Sequence, residues 1–189
     1  VHRSAGVPLR RRAPAPGPAT PAGSPPAPEW TRERQAAVTE RLLAGTTPAA
    51  AASAAEQSLR RAFGRDVRFE YRPNGFVARR FATEFFLIGG SQGTYTFDFQ
   101  AEPAATGTRA RVLMYSDITT ITNLGPLPGS QTLWTPEGAY QLFFRRLESF
   151  AYRQPDRWLT CPEARRSPDL PRFGLEPLCS GTGDDRAAR

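Results

Sequence analysis

Any chemistry in this chain has to be done without lysine and with a single histidine. All 25 basic residues are arginine, and the one imidazole belongs to His2, in a Pro-rich leader. A Schiff-base or P-loop lysine is therefore excluded. A Ser-His-Asp, Cys-His or His-bearing zinc site has no imidazole in the part that can fold. What remains is carboxylates, guanidinium groups and two cysteines. Glu70, Glu84, Asp98, Glu102 and Asp117 are the carboxylates of the strand-rich middle. Two of them converging would supply the acid and base of glycoside hydrolysis. Their alternation with apolar neighbours turns them to solvent instead, and no catalytic, cofactor-binding or metal-binding set emerges.

Cys161 and Cys179 bracket a stretch containing Pro162, Pro168, Pro171 and Pro177. With no further CxxC pair and no nearby histidine, a metal reading fails. A disulfide is expected, contributing about 3 kcal/mol by loop entropy. Such a bond persists only in an oxidising compartment, so it predicts a periplasmic or otherwise exported protein.

Arginines crowd one region: Arg60, Arg61, Arg65, Arg68, Arg72, Arg79 and Arg80 face only Asp66 and Glu70. Arg60, Arg61, Arg79 and Arg80 are the candidate anion-binding set, with nucleic acid, anionic lipid or polyanionic glycan as possible ligands. Phe69, Tyr71 and Phe76 alternate with the charges and are expected to enter a core rather than stack on bases. No RNP-like motif accompanies them, which weighs against nucleic acid. The net charge of +7 adds little, because beyond residue 30 there are 21 arginines against 17 acids. A second candidate surface is the segment NLGPLPGSQTLW, where Leu124, Leu127, Leu133 and Trp134 sit on a Pro-stiffened loop able to close a core or meet a partner.

These residues need elements to hold them. Residues 1–29, dense in Pro and Ala, read as a disordered arm or spacer. Residues 31–43 carry mixed signals, with a strand over 39–43 slightly favoured over helix. Thr47 and Pro48 give a cap and a first-turn proline, Ala55, Leu59 and Phe63 share a helical face, and Gly64 ends the helix. Val67, Phe69 and Tyr71 alternate with Arg68, Glu70 and Arg72, and Pro73-Asn74-Gly75 turns the chain. Tyr95, Phe97, Phe99 and Ala101 form the clearest alternating strand, and Ala110, Val112 and Met114 mark the next. NLGPLPGSQTLW reads as loop, since its prolines and glycines oppose both ladders and helix turns. Thr135-Pro136 repeats the earlier helix start. Tyr140, Phe143, Phe144, Leu147 and Ala151 then form a core stripe, with Arg145, Arg146 and Glu148 outside it.

The phrases TTPAAAASAAEQSLRRAF, PNGFVARR, GTYTFDFQAEP, TRARVLMYS and TPEGAYQLFFRRLE together resemble small lipoprotein-type α+β domains of the bacterial envelope, over Glu40 to Glu148. The resemblance implies an architecture and a compartment rather than an activity. The chain departs from a lipoprotein in showing no N-terminal lipobox cysteine.

The expected fold is α+β: a mainly antiparallel twisted sheet with two helices, 48–63 and 136–152, packed on one face. The domain spans 30–155, behind the disordered arm, and 156–189 form an irregular, disulfide-stapled extension. The expected function is a non-enzymatic exported accessory or binding module. It needs no cofactor, its partner is unidentified with an envelope protein open to it rather than nucleic acid, and peripheral or tethered membrane association is open to it. The alternatives are an Arg-rich polyanion binder and a carboxylate-only hydrolase.

Overall fold

The computed structural model describes residues 30–86, 89–122, 125–127, 129–171 and 173–180. The expected arm at 1–29 and residue Leu124 lie outside them. The conflicting signals of 31–43 reflect two elements in succession. Helix α1 (Arg32–Thr39) starts where the Thr31 hydroxyl accepts from the Arg34 N–H, and strand β1 (Glu40–Ala44) follows directly. Helix α2 (Pro48–Phe63) begins as its residues dictate: Thr47 accepts from the Ala50 N–H, Pro48 occupies the first turn, and Gly64 ends it at φ +61°. A 3-10 turn (Gly64–Asp66) leads into β2 (Val67–Arg72).

Next comes a meander of long strands: β3 (Gly75–Phe86), β4 (Gly89–Ala104) and β5 (Gly107–Thr122). The segment FATEFF completes β3. A Cβ on Gly75 would lie 1.9 Å from the Phe99 carbonyl oxygen, so only glycine lets β3 leave its turn pressed against β4. The sheet is antiparallel, in the order β1-β5-β4-β3-β2.

The segment expected to be an unpaired loop is not one. Strands β6 (Gly125–Leu127) and β7 (Thr132–Leu133) both pair with β5. The physical reason is that β1 covers β5 only over Gly107–Arg111, leaving backbone groups farther along that edge to be satisfied. Trp134 continues the cover, its N–H donating to the Met114 carbonyl. Pro126 is tolerated because these are edge pieces.

Helix α3 (Glu137–Ala151) also starts differently from expectation. Pro136 occupies the cap position with no side-chain bond, so Thr135 does not cap it. Its apolar stripe still faces the sheet. Phe143 and Leu147 of α3 and Leu59 and Phe63 of α2 cover Phe76, Phe97, Phe99, Val112 and Met114, all buried. Among the described residues the other sheet face carries no helix, as antiparallel sheets allow. The extension beyond 155 is less irregular than its prolines suggest. It forms α4 (Cys161–Arg166), with a Thr160/Glu163 capping box, and α5 (Glu176–Cys179), and it sends Ala164, Leu170, Leu175 and Leu178 into the same core.

Tyr140 ties these layers together. Its hydroxyl donates to the Trp134 carbonyl at 2.6 Å and accepts from the Met114 N–H at 3.3 Å. Burial foremost pushes its phenol up from 10.0 to about 12. An unfolded tyrosine ionises first, so the stability held below pH 10 is lost as pH rises toward 12. The loss expected is roughly 2–3 kcal/mol. Denaturant unfolding across that window should show this loss in the wild type and not in Tyr140→Phe; equal slopes would remove the assignment.

Candidate anion-binding face

The period of two decides which arginines can meet. On β3, Phe76, Ala78, Arg80 and Ala82 point toward the helices, whereas Val77, Arg79, Phe81 and Thr83 point to the open face. Arg80 is therefore not available to a ligand in solution, contrary to its place in the expected anion-binding set. It is 4% exposed, its Nη1 donates to the Pro177 carbonyl and the Ser180 Oγ, and its guanidinium lies 4.3 Å from the Phe63 ring centroid. Arg60 and Arg61 lie apart from Arg79. They end α2 on the helix side, where Arg60 binds Glu56 at 2.7 Å and covers Phe69, and Arg61 lies 4.4 Å over Trp158. Of the four, only Arg79 reaches the open face.

There it has company. A groove of about 500 Å³ is lined by Arg65 and Asp66 of the 3-10 turn, Arg68 of β2, Arg79 and Phe81 of β3, and Thr94 of β4. Arg68 and Arg79 are direct cross-strand neighbours, as are Phe81 and Thr94. Like charges directly opposite one another destabilise a sheet. Glu70 offsets part of this, binding Arg79 at 2.9 Å, and the Arg79 guanidinium holds the Glu70 carboxyl below its ordinary value. Among the described residues, the guanidinium groups of Arg65 and Arg68 have no hydrogen-bond or ion-pair partner. Phe81 stands beside them 60% exposed. Arg65 and Arg68 were legible only as members of a crowd. Applying strand parity to β2 and β3 together would have joined Arg68 to Arg79 and removed Arg80.

Glu70, Asp98, Glu102 and Asp117 share this face without closing on one another. Glu70 and Asp98 flank the buried Val77, Glu102 lies opposite Arg109, and Asp117 lies opposite Thr94. Asp98 approaches Arg72 at 3.5 Å. Glu84 is placed by backbone alone, in β3 opposite Ser91. A second, smaller depression of about 80 Å³ gathers Glu40, Glu102, Arg109, Arg111 and Gln100, with Arg111 donating to the Gln100 side-chain oxygen. Among the described residues, no group of three or more His, Cys, Asp or Glu could hold a metal ion.

The expected disulfide is present. Cys161 and Cys179 are bonded, with Cα atoms 5.5 Å apart, joining the first residue of α4 to the last of α5. In the expected partner loop, Leu133 and Trp134 are half-buried. Trp134 meets Tyr95 edge-on, packs on the core and donates its Nε1–H to the Gly174 carbonyl, whereas Leu133 pairs with Tyr115 on the opposite parity from buried Met114, toward the open face. Leu127 is placed by backbone alone, in β6.

Comparison with known proteins found no matching family model, no similar curated protein and no similar solved structure. The antiparallel α+β architecture and the disulfide stand on the structure itself. Among the described helices, none is long and apolar enough to cross a membrane.

Proposed function

We propose that this chain is a non-enzymatic, exported binding module whose ligand is an anionic group on an apolar body, held in the groove of Arg65, Arg68, Arg79 and Phe81. The observation that carries the reading is the cross-strand juxtaposition of Arg68 and Arg79, with Arg65 beside them. A phosphate or carboxylate between the guanidinium groups would turn that repulsion into charge-assisted hydrogen bonds. The exposed Phe81 ring would receive the apolar part, and the groove has the size of a small-ligand site. Export is supported by the disulfide and by the resemblance to envelope domains. The partner is then an envelope component bearing such a group.

The test uses phenyl phosphate and inorganic phosphate as probes, followed by NMR titration. Phenyl phosphate should bind more tightly than phosphate, and Arg65→Gln/Arg68→Gln should weaken both by about tenfold or more. Arg60→Gln/Arg61→Gln should leave them unchanged, and binding should weaken steadily as salt rises. Equal affinities in the groove variant and the wild type would overturn the site. Turnover of an ester or glycan that disappears on changing Glu70 or Asp98 would overturn the non-enzymatic part.

A further inference from the structure

Strand β2 is the outer strand of the sheet. It pairs with β3, and among the described residues no group hydrogen-bonds its other edge. The two-residue turn at Pro73-Asn74 makes Arg72 and Gly75 the closing pair, which exchanges both backbone hydrogen bonds. Alternation then sends the N–H and C=O of Val67, Phe69 and Tyr71 outward, to the open edge. Helix α2 packs mainly over β4, so this edge is not roofed along its length.

The sequence along that edge, Asp66-Val67-Arg68-Phe69-Glu70-Tyr71-Arg72, is complementary to itself when reversed. Set two copies antiparallel with Phe69 opposite Phe69 of the second copy. Arg68 then faces Glu70 of that copy and Glu70 faces its Arg68. Val67 faces Tyr71, and at the two ends Asp66 faces Arg72. The outward backbone groups of 67, 69 and 71 meet as hydrogen-bonded pairs. The Arg–Glu pairs fall at the closer, non-hydrogen-bonded positions. Each opposed pair lies on the same face of the sheet, as a continuous ladder requires.

Neighbouring in-phase registers fail on charge. One places Glu70 against Glu70 and Arg68 against Arg72; the other places Arg68 against Arg68 and Asp66 against Glu70. Sliding farther one way brings Pro73, which has no N–H, into the ladder; the other way runs the pairing off β2 into the 3-10 turn at Gly64–Asp66. Edge strands are commonly kept apart by charge, but a charge row of one sign would repel in every register. This row, with alternating sign, attracts in one.

We propose that two copies of the chain associate through β2 about a twofold axis normal to the sheet, joining their sheets into one. The exposed Tyr71, 62% accessible in the monomer, would pack against Val67 of the second copy. The two open-face grooves would become neighbours across the axis. This inference does not depend on what the groove binds.

Sedimentation velocity over a wide range of protein concentration, at low salt and without added anion, is the test. A six-residue seam lies at the small end of interfaces, so a reversible dimer is expected with a dissociation constant on the order of 10–100 μM. Glu70→Arg sets arginine against arginine and should weaken association by at least about tenfold. Adding Arg68→Glu to Glu70→Arg restores opposite charges at both positions and should restore the dimer. A wild type that stays monomeric at about 1 mM, or a dimer indifferent to Glu70→Arg, would overturn the proposal.

Discussion

Reducing the Cys161–Cys179 bond is expected to lower stability by about 3 kcal/mol, a fall of roughly 6–12 °C in Tm for a chain of this size. The bond joins the N-terminus of α4 to the C-terminus of α5 and so closes the extension on itself. That extension has no sheet of its own. It holds on through Leu170, Leu175 and Leu178, through the Arg80 contacts to Pro177 and Ser180, and through the Trp134 bond to Gly174. Without the bond, the unfolded extension explores many more conformations while the folded one gains nothing. Thermal unfolding with and without a phosphine reductant measures the loss. Cys161→Ser/Cys179→Ser should melt with the reduced wild type. A Tm unchanged by reduction would show that the extension is held by packing alone.

Replacing Arg146 by alanine should cost a similar amount, about 3 kcal/mol or more. Arg146 is wholly buried, although its sequence neighbours suggested an outward arginine. Its Nε donates to the Leu159 carbonyl at 2.9 Å, its Nη2 lies 3.5 Å from Cys161 Sγ, and its guanidinium stacks 4.7 Å from the Trp158 ring centroid. Arg61 also lies over that indole, 4.4 Å from its centroid, so Trp158 meets two cations. Truncation would open a void under Trp158 and leave the Leu159 carbonyl without its donor. Arg146→Met refills most of the volume and should recover a large part of the loss. Arg145→Ala, whose side chain is one-third exposed and 3.9 Å from Asp169, should cost less than about 0.5 kcal/mol. Urea unfolding of the three variants makes the comparison, and equal losses at 145 and 146 would contradict it.

Arg146 also shows where sequence reading loses its grip. Helical periodicity placed Tyr140, Phe143, Phe144 and Leu147 correctly, because a wide apolar stripe has one place to go. It assigned Arg146 to the outside, because nothing in that window reveals the segment 158–161 that folds over it. The alternating runs Val67–Tyr71, Tyr95–Ala101 and Ala110–Met114 were legible for the same reason as the stripe: their alternation is strict. Strands β6 and β7 were hidden, since their pairing is imposed by the uncovered edge of β5 rather than by their own Pro- and Gly-rich composition. The site followed the same rule. Counting arginines found the neighbourhood, but membership of the groove depended on parity across two strands and on a 3-10 turn. Arg80, one residue from Arg79, ended on the opposite side of the sheet.

The relay of segments along β5 carries a consequence for how the chain assembles. The β2–β5 meander is built from contacts close in sequence, joined by short turns, so its pieces can form early and fast. Strand β1 precedes all of them, yet its partner is β5. During synthesis it must remain unpaired until the whole meander has emerged, and only then can it close the inner edge beside β7. The slow step of folding should therefore be the docking of Glu40–Ala44. Mutations there that spare the meander, such as Leu43→Ala, should retard refolding more than equally destabilising changes within β3 or β4.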